Sequence, residues 1–267
     1  MTSSPPRDSA RLASMSALLF DLDGVLTPTA EVHMRAWSRL FNDEFAARGV
    51  AAYTEADYFE YVDGRPRYDG VRAMLAARGI TLPEGAPDDA ADAETVCGLG
   101  NRKNAVFAAE LEENGVSPYP GSVVLVDAAI SAGVQVAVVS SSRNAVPVLR
   151  AAGLLDRFAV IVDGLVAAEA GLPGKPAPDT YVEGARRLGL AVEACVVLED
   201  ATSGVQAGHA APFGLVVGVD RGVGHDALLE SGADYVVDDL AELVPDLPSR
   251  TSSSPTASSS STPETAE

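Results

Sequence analysis

Ala17-Leu18-Leu19-Phe20-Asp21-Leu22-Asp23-Gly24-Val25-Leu26-Thr27 is the stretch from which the rest of the chain is read. A short apolar run ends in an aspartate and passes straight into a glycine-containing turn, as a buried strand does when it delivers side chains to a ligand. Three similar runs follow, Val134 to Val139, Cys195 to Leu198 and Leu215 to Val219. Each is rich in β-branched residues and each comes after a helix-like segment with Gly near its end. Weaker runs at Phe158 to Val162 and Tyr235 to Val237 add further strands, and Val146 to Ala152, Asp179 to Leu188 and Val205 to Ala210 carry helical patterns. This alternation predicts an α/β fold around a parallel sheet.

Between about Thr29 and Ser117 the rhythm breaks. Ala30 to Arg48 reads as a helix with Val32, Trp37, Leu40 and Phe41 on its apolar stripe, and Val71 to Ala77 and Lys103 to Asn114 read as others. No buried strand interrupts them. We therefore expect an all-helical domain inserted after the first strand, entered near Pro28 and left near Pro118-Tyr119-Pro120-Gly121, where proline disfavours continued helix. Leu82 to Asp92, with two prolines and four acidic residues, reads as a surface loop of that insert. The expected organisation is a disordered tail over 1–15, a core domain over 16–28 and 118–247, a helical domain over 29–117, and a second disordered tail over 248–267. That last segment is almost all Ser, Thr, Pro, Ala and Glu, too polar to offset the entropy of ordering it.

Composition excludes some classes of partner. The chain has 267 residues, 47% of them apolar, with 38 Asp and Glu against 19 Lys and Arg, a net charge of −19. Such a surface repels nucleic acid and anionic membranes. Cys97 and Cys195 are far apart and lack metal-type spacing, which fits a reducing compartment, and no segment has the apolar length of a signal peptide or membrane span. The expected location is the cytoplasm.

Four clusters carry chemistry. Strand alternation places Asp21 and Asp23 on one side of a strand end, and two close carboxylates call for a cation or for divided acid and base roles. Leu198-Glu199-Asp200 ends a second strand in two more carboxylates, and oxygen-only ligation of this kind suits Mg²⁺. Ser140-Ser141-Ser142-Arg143-Asn144 follows Val138-Val139 and offers hydroxyls and backbone N–H groups to phosphate oxygens. Gly174-Lys175-Pro176-Ala177-Pro178-Asp179 fixes one ammonium in a stiff loop.

Taken in order, D-x-D-G-V, S-S-S-R-N, G-K-P-A-P-D and E-D resemble the four motifs of the haloacid dehalogenase superfamily, over nearly all of the chain from Ala17 to about Leu243. The resemblance implies a Rossmann-like parallel-sheet core with an inserted helical cap at the position used by the β-phosphoglucomutase-like family. It implies that Asp21 is a nucleophile forming an aspartyl phosphate and Asp23 a general acid and base. Mg²⁺ would then be held by Asp21, the backbone carbonyl of Asp23 and Asp200, with Glu199 as ligand or partner of bound water. Ser140 and Lys175 would bind the transferring phosphoryl group, alongside Ser141, Ser142, Arg143 and Asn144 of the same loop. An aspartate at 23 serves phosphate transfer and argues against dehalogenation.

Within the insert, Thr29-Ala30-Glu31-Val32-His33-Met34-Arg35-Ala36-Trp37 resembles the family's linker and first cap helix, which makes His33 the residue coupling cap closure to proton transfer. Gly64-Arg65-Pro66-Arg67 corresponds to the cap loop that meets the distal phosphate, giving that role to Arg67 with Arg65 assisting, and Lys103 corresponds to a position contacting the sugar phosphate. The implied reaction interconverts β-D-glucose 1-phosphate and glucose 6-phosphate through β-glucose 1,6-bisphosphate, with a small-molecule sugar phosphate as partner and no obligate protein partner evident. Asp63 stands where lysine is frequent and Gly70 where serine is frequent, so a Mg²⁺-dependent sugar-phosphate phosphatase is the alternative. A non-catalytic binding protein on the same fold is a third reading, and the intact acidic motifs weigh against it.

Overall fold

The structure, a computed structural model, describes residues 8–248. Six strands, β1 Ala17–Phe20, β2 Gln135–Val139, β3 Val160–Val162, β4 Cys195–Glu199, β5 Leu215–Val219 and β6 Tyr235–Val237, form one sheet in the order β3-β2-β1-β4-β5-β6. Every pairing is parallel. The first strand lies in the middle, with Phe20 opposite Val138 on one side and Leu198 on the other.

The two-residue period of these apolar strands sorts their side chains into two layers. Leu18, Phe20, Val138, Val196, Leu198 and Val217 point to one cluster, and Ala17, Leu19, Val139, Cys195, Val197 and Val216 to the other. The helices in chain order are α1 Ser9–Leu12, α2 Thr29–Arg48, α3 Glu55–Asp57, α4 Arg67–Ala77, α5 Val96–Asn114, α6 Pro120–Ala132, α7 Ala145–Ala151, α8 Gly164–Ala170, α9 Asp179–Leu188, α10 Thr202–His209 and α11 His225–Glu230. Leu125 and Val126 of α6, Val148 and Leu149 of α7, and Leu240 and Leu243 of the 3₁₀ turns at Leu240–Asp246 cover the first layer. Tyr181 and Ala185 of α9, Val205 of α10 and Leu228 of α11 cover the second. Each large side chain removed from water in this way contributes roughly 1.5–3 kcal/mol before entropy is charged against it.

Helices α2 to α5 enclose a cluster of their own, in which Trp37, Phe41 and Phe45 stack at ring separations of 5.4 Å beside Tyr53, Met74 and Leu99. The inserted helical cap is therefore a separately packed body on a Rossmann-like core. Between α3 and α4 the backbone passes through a π-helical turn, Tyr58–Val62, which ends at Asp63 and opens the cap loop.

Several expected boundaries move. Of the expected tail 1–15, residues 1–7 lie outside the described residues, but Ser9–Leu12 is helical, Leu12 is buried in the core and Arg11 pairs with Asp234 at 3.2 Å. Burial of Leu12, the Asp8 cap and the Arg11–Asp234 pair together tie this short segment to the core. Of the expected tail 248–267, residues 249–267 also lie outside the described residues. Pro120 starts α6 instead of merely interrupting the chain, because proline at the first helical position loses no hydrogen bond. Helix α5 begins at Val96, seven residues before the expected start, where Thr95 caps the N–H of Gly98 at 2.9 Å. Helices α8 and α11 and the turn at 240–246 were not expected.

Candidate active site

The chain runs from β1 through β2 to β3 on one side of the sheet and then crosses to β4 on the other side of β1. A crevice lies at such a switch point, at the carboxyl ends of the strands. Asp21 follows β1 immediately, and its N–H donates to Leu198 O at 3.0 Å. Glu199 is the last residue of β4 and Asp200 the next. Gly24 lets these two ends approach: it has φ +89°, and a Cβ there would fall inside the Asp200 carboxylate.

Lys175 knits the site together. Its ammonium donates to Asp21 Oδ1 at 2.5 Å, Glu199 Oε1 at 2.6 Å and Val139 O at 3.2 Å, so one buried cation bonds to three neighbouring strand ends. Burial alone would lower its pKa, but Asp21 and Glu199 outweigh burial and hold it well above the usual lysine range. Glu199 is fully engaged, since Tyr181 OH also donates to Oε1 at 3.1 Å and the N–H of Ala201 to Oε2 at 3.0 Å.

Carboxylate oxygens of Asp21, Glu199 and Asp200 lie within 4.8 Å of one another, all buried. With Lys175 as the one neighbouring ammonium, two negative charges are left uncompensated. Burial first, then the neighbouring carboxylates, pushes Asp21 and Asp200 well above the usual range. The cluster relieves this charge by taking up either protons or a divalent cation. Oxygen-only donors of this charge fit a hard cation, and Asp21 and Asp200 are the members available to it, Glu199 being committed to Lys175, Tyr181 and Ala201.

The Asp23 side chain is engaged elsewhere. Thr29, at the start of α2, donates its hydroxyl to Asp23 Oδ1, and His33 Nε2, one turn further along, stands 3.6 Å from the same oxygen. Burial raises the Asp23 carboxyl above its usual range against the opposing pull of Thr29 and Lys103. On its far side His33 Nδ1 meets the ammonium of Lys103, which lies 4.9 Å from the Trp37 ring and 5.0 Å from that of Phe107. Burial and the cations Lys103 and Arg67 hold His33 well below its usual pKa. With Lys103 donating to Nδ1, the proton of a neutral imidazole sits on Nε2, toward Asp23.

These groups border a cavity of about 70 Å³ closed over by the cap. From the core it is lined by Asp21, Asp23, Ser141, Ser142, Arg143, Glu199 and Asp200, and from the cap by His33, Gly64, Arg65, Arg67 and Lys103. Arg67 is fixed by Asn104 at 2.8 Å, and Arg143 donates to Tyr68 OH at 3.1 Å. Three expected residues stand behind this lining. Ser140 accepts from the N–H of Ser142 at 3.1 Å, Asn144 donates to Asn104 at 2.5 Å, and Lys175 reaches the site through Asp21. Trp37, Tyr58, Val62, Asp63 and Ala201 line the cavity without having been singled out as site residues. Asp63 carries a carboxyl pushed up to about 6 by burial and by Glu199. Trp37 shows in the sequence as part of an apolar stripe, which points to packing, and Asp63 as a departure from the lysine frequent in the cap loop.

A model of the haloacid dehalogenase-like hydrolase family matches residues 15–212. The chain belongs to that family. Within this family of hydrolases it is 48% identical over 240 residues to a β-phosphoglucomutase of Mycobacterium bovis, covering 85% of this chain and 91% of that one. A Mycobacterium tuberculosis protein named as an uncharacterized glycosyl hydrolase is 39% identical over 247 residues, which make up 90% of this chain and 18% of that much longer one. The crystal structure of a family member, β-phosphoglucomutase from Clostridium difficile, superposes with a TM-score of 0.70 at 26% identity, covering 86% and 93% of the two chains. The haloacid dehalogenase fold and the β-phosphoglucomutase-like branch agree with the sheet order and the inserted cap. Among the described residues no helix is long and apolar enough to cross a membrane.

Proposed function

We propose that this protein is a β-phosphoglucomutase, interconverting β-D-glucose 1-phosphate and glucose 6-phosphate through a phosphorylated Asp21 and a glucose 1,6-bisphosphate intermediate. One observation carries the reading. A buried carboxylate at the end of the central strand is paired with a buried lysine, and two residues on a second carboxylate faces a cap histidine. The cap is the part that separates a mutase from a simple hydrolase, and likeness to a β-phosphoglucomutase over 85% of this chain supports the mutase. The stretch matching a glycosyl hydrolase puts a unit of this kind in one chain with glycoside-cleaving machinery, which favours a sugar phosphate over other phosphomonoesters.

In this reading 29–117 is the cap, and 16–28 with 118–247 the core. Asp21 attacks the phosphorus of the bisphosphate, the P–O bond to the sugar breaks, and Asp23 gives its proton to the departing oxygen. In the other half Asp23 takes the proton of the 6-hydroxyl of an incoming β-glucose 1-phosphate as that oxygen attacks the phosphoaspartate, which forms the bisphosphate and releases Asp21. Thr29 and His33 hold the Asp23 carboxyl in place from the first turns of the cap, so cap position and proton transfer are linked. Lys175 neutralises charge on the transferring group and keeps Asp21 and Glu199 together. The Ser140–Ser142 loop offers hydroxyls and N–H groups to the phosphoryl oxygens, and Arg67, Arg65 and Lys103 take the distal phosphate and sugar. Mg²⁺, which Asp21, Asp200 and the carbonyl of Asp23 would hold with Glu199 behind them, supplies electrostatic neutralisation of phosphoryl oxygens.

The cavity has room for about two waters, whereas ligand pockets run to about 300–1,000 Å³. A sugar phosphate therefore enters with the cap displaced. The deciding experiment supplies β-glucose 1-phosphate with and without catalytic bisphosphate and measures glucose 6-phosphate against free phosphate. Bisphosphate-dependent glucose 6-phosphate is the expected result. Free phosphate alone would make the protein a sugar-phosphate phosphatase, and neither product would overturn the enzymatic reading.

A further inference from the structure

The cap loop meets the core at three backbone-level contacts. Ser203 Oγ donates to Asp63 O at 3.3 Å, Ser141 Oγ donates to Gly64 O at 2.8 Å, and Pro66 lies against Gly174. The third contact differs in kind. Gly64 needs glycine for its own backbone, at φ +67°, but Gly174 has no left-handed φ to require one. The three atoms nearest to a Cβ built on Gly174 all belong to Pro66, with Cδ at 2.8 Å and Cγ closer still. Nothing in the core itself competes for that space as closely. A methyl group at 174 is thus resisted first of all by the closed cap.

The position of this contact matters for chemistry. Beside it lies a second, solvent-open cleft of about 580 Å³, lined by Arg65, Arg72, Pro173, Gly174 and Lys175 among others. Lys175 is among the residues lining that cleft although its side chain is buried toward Asp21, and Arg65 borders both the cleft and the inner cavity. The Pro66–Gly174 contact joins cap to core at the chain neighbours of Arg65 and Lys175, both of which line this cleft.

We propose that Gly174 is the notch into which Pro66 of the closing cap seats, and that this joint is a water seal which decides between transfer of the phosphoryl group to a sugar and its loss to water. The proposal rests on the phosphoaspartate reading above. Where the seal leaks, water attacks the phosphorus, the bond to the Asp21 oxygen breaks with its electron pair left on the carboxylate, and the proton lost by water passes to solvent.

The test uses Gly174→Ala, Pro66→Ala and the double variant in the full chain. Asp21 is phosphorylated with radiolabelled acetyl phosphate and Mg²⁺, and the lifetime of the label on the protein is followed. Closure is read independently from acrylamide quenching of Trp37, the single tryptophan, which is 5% exposed in the closed form. Each single variant is expected to shorten the lifetime about tenfold or more and to raise Trp37 quenching, since small displacements of a closing element cost up to about 10²-fold in positioning. Both changes should revert in the double variant, where the added methyl fills the space left by the proline ring. An unchanged lifetime and unchanged quenching in Gly174→Ala would overturn the proposal, as would a double variant that leaks as much as the worse single one. If the parent protein takes up no label, the phosphoaspartate reading is what fails, and Trp37 quenching still decides whether the seal exists.

Discussion

Replacing Lys175 with methionine keeps the length of the side chain and removes the charge. In the folded protein that charge is bonded to Asp21 at 2.5 Å and Glu199 at 2.6 Å, with all three groups buried. Removing one partner of a buried ionic group costs about 3–5 kcal/mol, because the remaining charges are neither solvated nor paired. Against a total stability of about 5–15 kcal/mol this is a large fraction. For a protein of this size each kcal/mol moves the melting temperature by roughly 2–4 °C, so a fall of about 6–20 °C is expected at pH 8 in EDTA. The pH dependence identifies the cause. The folded pKa of Lys175 is raised, so its contribution is complete below the unfolded value of about 10.4 and is lost only as pH rises through the folded value. Asp21 and Asp200 are also raised, which for a carboxyl means that protonation favours the folded state and that stability is gained as pH falls toward the unfolded value of about 3.9. Protons on these carboxyls stand in for the missing ammonium, so the gap in melting temperature between parent and variant should narrow between pH 8 and pH 5. Calorimetric scans of both proteins across that range are the assay. A variant within 2 °C of the parent at pH 8, or a gap that widens as pH falls, would refute the view that Lys175 holds mutually repelling carboxylates together.

Asp21→Asn should abolish incorporation of label from a phosphoryl donor and lower turnover by about 10⁴-fold or more, as loss of a nucleophile does elsewhere; retained labelling would remove Asp21 from its role. Arg67→Ala should leave labelling by acetyl phosphate intact while raising KM for the sugar phosphate by roughly 10–100-fold, the value of a charge-assisted bond of about 1.5–3 kcal/mol, as read from steady-state kinetics. Adding Mg²⁺ at about 100 times its dissociation constant should stabilise the protein by about 2.7 kcal/mol, and Asp200→Asn should remove most of that shift in a thermal melt. Asp238→Asn should lower the pKa of His225, which the hydrogen bond to Asp238 at 2.7 Å holds above its usual value, and titration of the imidazole resonance would show it.

The sheet was legible because parallel strands covered on both faces are continuous β-branched runs, and Ala17–Phe20, Cys195–Glu199 and Leu215–Val219 stand within a residue of where the apolar runs put them. Asp21, Lys175, Glu199 and Asp200 could be read from the same runs, since each lies at a fixed offset from a strand end or in a proline-stiffened loop. Helix α8 could not, because its seven residues bury no side chain and leave no apolar stripe. The start of α5 was hidden by Gly98 and Gly100, which weaken a helical pattern yet are tolerated where Ala93 and Tyr68 pack closely against them. The part of the site contributed by the cap was harder still. Trp37, Tyr58 and Asp63 reach the cavity through the way the helical body sits on the sheet, a relation between distant segments that local periodicity does not encode.

Strand β1 stands fourth from one edge of the sheet although it comes first in the chain, and its neighbours β2 and β4 begin 118 and 178 residues after its own first residue. On the ribosome, the segment bearing Asp21 emerges long before anything it can pair with, and the intervening helices have time to collapse into a body of their own. Translation must proceed past Glu199 before the set of Asp21, Lys175 and Glu199 is complete. A nascent chain released too early would hold the reactive carboxylate but none of the surroundings that make it reactive, so the order of synthesis itself withholds covalent chemistry from unfinished molecules.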